Sequence, residues 1–209
     1  MMKVILIGGG GNMKSVVPSI SSNKNLEFDG YTDVEDNGEI LGVKYLGFEN
    51  DLDLTNKNVI ITITYLKTPR DRDLRLFLIE SLIQKKAIFP NIISTCTTLR
   101  SKINKTKGNL FINSCFMNVN VIIGDFNFFN TKVIIEHDVL IGNNNIFSPG
   151  VIVGGETKIG NNNFFGIGVI IGDGISICND VIIGMGSVVT KSITTPGVYY
   201  GSPAKLNNL

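Results

Sequence analysis

The chain has 209 residues, 43% of them hydrophobic, with 19 lysines and arginines against 18 aspartates and glutamates, a formal net charge of +1. That length fits one large domain or two small ones with a real core. The balanced charge argues against partners held by bulk electrostatics, so neither nucleic acid nor a membrane surface is expected as a ligand. Three widely spaced cysteines, Cys96, Cys115 and Cys178, form no CxxC pair and read as reduced, structural thiols of a cytoplasmic protein. The apolar run before the glycines of "MMKVILIGGGG" is too short for a signal-peptide core, and no other segment reaches transmembrane length.

In chain order, "KVILI" (residues 3 to 7) is a β-branched run of the kind that fills a buried parallel strand. "GGGGN" follows, and "MKSVVPSISS" predicts a short helix limited by Pro18. "LEFDGYTDV" alternates as a second strand and "NVIITIT" (58 to 64) is a third. "TPRDRDLRLFLIESLIQKKA" predicts a helix, with Thr68 as its cap and Pro69 in its first turn. Strand, Gly-rich loop, helix and strand make half of a doubly wound nucleotide-binding fold, an α/β Rossmann-like βαβ domain over residues 1–90.

The grammar then changes. Steps of six from Phe111 meet Met117, Ile123, Phe129, Ile135, Ile141, Phe147, Val153, Ile159, Phe165, Ile171, Ile177, Ile183 and Val189, all large and apolar. Backward, Ile93 and Leu99 keep the beat and Lys105 breaks it. A small residue often follows, as at Gly124, Gly142, Ser148, Gly154 and Gly160. A period of six fits no α-helix. It predicts a parallel β-helix over residues 91–209, with one apolar side chain per repeat aimed at the axis and a turn after it. The "GNNN" turns at 142–145 and 160–163 fit, since Asn tolerates left-handed backbone angles.

The array resembles the hexapeptide-repeat acyltransferases, whose repeats form a left-handed β-helix. "KVILIGGGGNMKSVV", "GYTDV", "IEHDVLIG" and "GVYYGSPAK" together resemble one branch of them. That branch holds the sialic acid O-acetyltransferases and the bacterial N-acetyltransferases of nucleotide-linked 4-amino-4,6-dideoxy sugars. The resemblance spans nearly the whole chain.

It bears on the only histidine, His137, which lies between Glu136 and Asp138. An isolated histidine is ordinarily a surface residue. Alternation from an inward Ile135 turns His137 outward, and it falls where the family carries its "HD" or "HE" pair. The resemblance implies that His137 is a general base taking the proton of an attacking amine or hydroxyl, with Asp138 orienting the ring. One histidine does not suffice for the three-histidine zinc site of a β-helical carbonic anhydrase, and no metal is expected. The resemblance further implies acetyl-CoA as co-substrate, lying between β-helices of a homotrimer, with Ile146, Ile167 and Met185 at the cofactor positions.

The Gly-rich loop would take the acceptor. Gly10, Gly11 and Asn12 match contacts to a nucleotide sugar, Asp33 matches an acid that meets the base or ribose, and Tyr65 would line the same pocket. Two positions depart from the family: Asn12 stands where a histidine is common, and Val34 where a second acid is usual. The activity implied is N-acetylation of the 4-amino group of a UDP- or dTDP-linked sugar for surface glycan or O-antigen (lipopolysaccharide) assembly. The alternatives are O-acetylation of a sialic acid-type sugar, with Arg70, Arg72 and Arg75 available for its acid group, and a non-catalytic nucleotide-sugar-binding scaffold.

Overall fold

The computed structural model describes residues 1–21, 23–64 and 68–207. They divide into two compact units, Met1–Thr95 and Cys96–Leu209.

In the first unit β1 (Met2–Ile7) is the centre of a parallel sheet, between β2 (Leu26–Thr32) and β3 (Asn58–Ile61). Val4, Ile5, Leu6 and Ile7 are all buried, as the continuous apolar run requires of a strand covered on both faces. Helix α1 (Gly11–Ser21) buries Met13, Val16, Val17 and Ile20 and runs on past Pro18. Helix α2 (Pro69–Gln84) opens with a capping box: the Asp71 N–H donates to Thr68 Oγ1 at 3.1 Å, and Asp71 Oδ2 accepts the Thr68 N–H at 3.0 Å.

The second unit is a left-handed parallel β-helix. Two-residue strands recur every six residues and pair with the strands eighteen residues away, so three strands make one coil. The first face stacks Thr98–Leu99, Phe116–Met117, Ile134–Ile135, Ile152–Val153, Ile170–Ile171 and Val188–Val189. The second stacks Ile122–Ile123, Leu140–Ile141, Lys158–Ile159 and Ser176–Ile177. The third runs from Leu110–Phe111 through Phe128–Phe129, Ile146–Phe147 and Phe164–Phe165 to Val181–Ile183 and Gly197–Tyr200.

All fourteen sixfold positions from Phe111 to Val189 are buried, none more than 6% exposed. On the axis Phe111, Phe129, Phe147 and Phe165 stack face to face, with successive centroids 4.3, 4.9 and 4.7 Å apart. A second column runs up one corner. Asn145 Oδ1 accepts the N–H of Asn163, and Asn127 Oδ1 accepts the N–H of Asn145, each at 2.9 Å. The amides satisfy buried backbone groups that a triangular turn leaves open.

The asparagine turns behave as their residue type suggests at Asn144 (φ 55°) and Asn162 (φ 60°). The same left-handed geometry recurs at Asn120, Asp138 and Glu156 on the corner between the first and second faces.

Candidate active site

His137 stands on that corner. Two rungs of the backbone ladder fix it, as the Asp138 N–H donates to the Val119 carbonyl at 3.1 Å and the Glu156 N–H to the His137 carbonyl at 3.0 Å. Ile135 is buried and His137, two residues on, is 49% exposed, which is the orientation alternation gives.

The imidazole Nδ1 lies 2.8 Å from Asp138 Oδ2. A carboxylate only accepts, so Nδ1 carries the hydrogen and Nε2 keeps its lone pair. The other carboxylate oxygen, Oδ1, accepts from Asn120 Nδ2 at 3.0 Å, and Asn118 Nδ2 donates to Glu136 Oε2 at 2.9 Å. The hydrogen bond to Asp138 raises the His137 pKa above its ordinary value, with Glu136 and Glu156 acting in the same sense and partial desolvation opposing them. Hydrogen bonds from His137 and then Asn120 hold Asp138 below its usual range.

The next coil contributes a glycine. A Cβ on Gly155 would stand 2.9 Å from His137 Cε1 and Nε2. The ring therefore occupies space that any side chain at 155 would take. Asn118, Asn120 and Gly155 escape a reading that follows sequence neighbours. The signal that finds them is the eighteen-residue coil, which sets 118, 136 and 154, or 119, 137 and 155, in single columns.

The positions matched to the cofactor divide. Ile167 and Met185 are 58% and 76% exposed on the corner between the third and first faces, tied together by the Gly186 N–H donating to the Ile167 carbonyl at 2.8 Å. Ile146 is 2% exposed, so its side chain offers no open surface within this chain. A shallow groove of about 780 Å³ runs along the second face beside Ile122, Leu140, Lys158, Ser176 and Ile193.

In the first unit the glycines differ in their reasons. Gly8 has φ +106°, and a Cβ on Gly9 would meet the Tyr31 ring at 2.5 Å; the fold itself requires both. Around Gly10 and Gly11 there is open space. The Gly9 N–H donates to Asp33 Oδ2 at 2.6 Å and the Val34 N–H to Asp33 Oδ1 at 2.7 Å, so Asp33 clamps the loop to the end of β2. Asn12 Nδ2 donates to Thr64 Oγ1. Tyr65 lies outside the described residues. Arg75 is buried rather than presented to solvent: it donates to the Ile63 carbonyl, and burial lowers its pKa to about 10. That removes one cation from the set available to an acidic acceptor.

Residues 156–191 match the family described as bacterial transferase hexapeptide (six repeats). The full chain, hexapeptide solenoid included, superposes on the acetyltransferase domain of PglB from Neisseria gonorrhoeae FA1090 with a TM-score of 0.88, at 22% identity, covering 99% of this chain and 100% of that one. PerB from Caulobacter crescentus, in complex with CoA and GDP-perosamine, gives a TM-score of 0.88 at 23% identity over 100% and 98% of the two chains. WeeI from Acinetobacter baumannii AYE gives 0.67 at 22% identity over 98% and 99%. At these identities the likeness is one of fold. No curated protein matches the sequence. Among the described residues no three of His, Cys, Asp and Glu gather as a metal site would need, and no helix is long and apolar enough to cross a membrane.

Proposed function

We propose that the protein is an acetyl-CoA-dependent N-acetyltransferase acting on the 4-amino group of a nucleotide-linked 4-amino-4,6-dideoxy sugar, in surface glycan or O-antigen assembly in the cytoplasm. The observation that carries it is the exposed His137–Asp138 pair, with Nε2 free, on a hexapeptide solenoid. PerB, of the same fold, is complexed with CoA and GDP-perosamine, a nucleotide-linked sugar, which supports the same pair of ligand classes here and widens the nucleotide from UDP and dTDP to GDP.

The chemistry follows from the pair. The neutral amine attacks the thioester carbonyl as His137 Nε2 takes its proton; the N–C bond forms, the C–S bond breaks, and the CoA thiolate leaves and is protonated. Asp138 stabilises the imidazolium as it forms. No covalent acyl-enzyme is required, and Cys115, buried and with its thiol pushed up to about 12, is not a nucleophile.

The active form is a homotrimer. His137 and the exposed Ile167–Met185 corner stand on opposite edges of the first face, roughly six residues of extended chain or about 20 Å apart. A neighbouring copy brings its Ile167 and Met185 against the His137 corner, and the exposed Ile122 and Leu140 of the second face supply apolar surface for that contact. Gly10, Gly11, Asn12, Asp33 and Tyr65 of the first unit contact the nucleotide sugar; Ile146 contributes through its main chain alone.

Incubation of the purified protein with acetyl-CoA and a panel of GDP-, UDP- and dTDP-linked 4-amino sugars, with sialic acid-type acceptors beside them, is the test. CoA release with at least one of them is expected; release only with sialic acid-type acceptors, or with none, rejects the reading.

A further inference from the structure

Two charge columns flank His137, and they change sign along the solenoid. Arg100, Asn118 and Glu136 follow one another at eighteen-residue spacing, as do Lys102, Asn120 and Asp138; the ladder joining Thr98–Leu99, Phe116–Met117 and Ile134–Ile135 leads into this corner in register. Two rungs separate the cations from the acids, about 10 Å at the ordinary strand spacing. The asparagines between them are spent on the acids, through Asn118 Nδ2 to Glu136 Oε2 and Asn120 Nδ2 to Asp138 Oδ1.

At the cationic end lies a notch of about 460 Å³ lined by Arg100, Ser101, Lys102, Val119 and Asn120. No carboxylate lines it, and among the described residues neither cation is in an ion pair. The Arg100 guanidinium lies 5.2 Å over the Phe116 ring, which holds it in place without neutralising it. At the other end Glu136, Asp138 and Glu156 surround the imidazole with negative charge.

We infer that this notch is the subsite for the sugar-linked phosphate of the acceptor, with Arg100 and Lys102 as its ligands. The inference rests on the N-acetyltransferase reading and adds a specificity determinant to it. The corner matches a ligand that is anionic at one end and carries an amine at the other. A glycosyl phosphate with an amino group across the pyranose ring spans a comparable length; its phosphate meets the cations as its amine reaches His137. A sialic acid-type acceptor has no amine for the acidic end.

The test uses the full chain, wild type and Arg100→Ala, Lys102→Ala and the double variant, all at exposed positions. Acceptor kinetics are measured at saturating acetyl-CoA with the nucleotide amino sugar and with the methyl glycoside of the same sugar. The double variant should raise KM for the nucleotide sugar roughly ten- to hundred-fold, the worth of charge-assisted hydrogen bonds, with kcat, the KM for acetyl-CoA and turnover of the methyl glycoside unchanged. Added salt should weaken the wild type and not the double variant. An unchanged acceptor KM, an equal loss with the methyl glycoside, or a raised KM for acetyl-CoA instead overturns the assignment. If the wild type transfers acetyl to no acceptor, the catalytic reading fails by itself, and calorimetric titration with GDP, UDP and dTDP still decides the subsite. Binding weakened roughly ten-fold or more in the double variant upholds an anion site there; binding of unchanged strength, or absent from the wild type, refutes it.

Discussion

Gly155 lies one coil beyond His137, and a Cβ there would come within 2.9 Å of the imidazole Cε1 and Nε2. The obstacle is the far end of a mobile side chain, so Gly155→Ala should displace the ring without straining the backbone. We expect kcat to fall by about ten-fold or more, given that misplaced groups lose catalysis steeply, with the melting temperature within a degree or two of wild type. Full activity would show that the observed ring position is not the working one.

Asp138 raises the pKa of His137 through their 2.8 Å contact. A general base works deprotonated, so kcat/KM should climb as pH rises through a midpoint above the ordinary histidine value of about 6.5. Asp138→Asn removes the cause: the midpoint should move down and the plateau fall by about 10²–10⁴. Because this is the only histidine, its proton resonance titrates alone and reads the same shift without substrate. A midpoint that stays put or rises contradicts the pairing. The linkage to stability has a definite sign. The raised histidine contributes below its unfolded pKa and loses the contribution as pH rises through the native one. The lowered aspartate contributes above its unfolded pKa and loses it as pH falls through the native one. Both side chains are half exposed, so solvent screens the gain to little.

Asn145 accepts the Asn163 N–H and donates to the Gly160 carbonyl, both at 2.9 Å. Asn145→Ala leaves the buried Asn163 N–H and the part-buried Gly160 carbonyl without these partners. A loss of about 2–4 kcal/mol is expected in urea unfolding, since each orphaned group costs about 1–3 kcal/mol. A loss under about 0.5 kcal/mol, the range of a neutral surface change, would mean that the ladder is incidental.

Met185 is 76% exposed. If it meets acetyl-CoA, Met185→Asp should raise the KM for acetyl-CoA about ten-fold or more, by loss of apolar contact and repulsion of an anionic ligand. Stability and the acceptor KM should not change. An unaltered acetyl-CoA KM removes this corner from the cofactor site.

The sixfold beat made the solenoid legible because one buried residue per repeat is a requirement of the coil, and every position from Phe111 to Val189 obeys it. Outward placement of His137 followed from the same alternation. Its partners from other coils did not emerge from local reading: Asn120, Gly155 and the cations at 100 and 102 are distant in sequence, and only the eighteen-residue coil brings them to one corner. The Gly-rich loop was legible as a loop, but not the division of labour within it. Gly8 and Gly9 serve the backbone and Tyr31, and Asp33 holds the Gly9 N–H, contacts that depend on how β2 ends. Arg75 read as a surface cation because helical periodicity does not reveal that α2 turns it toward the Ile63 carbonyl.

The most direct test of the catalytic assignment is acetyl transfer by His137→Ala, compared with wild type at saturating acetyl-CoA and the preferred acceptor. Loss of about 10²–10⁴ in kcat with intact folding and unchanged binding of both ligands is expected of a missing general base. A variant that transfers acetyl groups as fast as wild type would contradict the assignment outright.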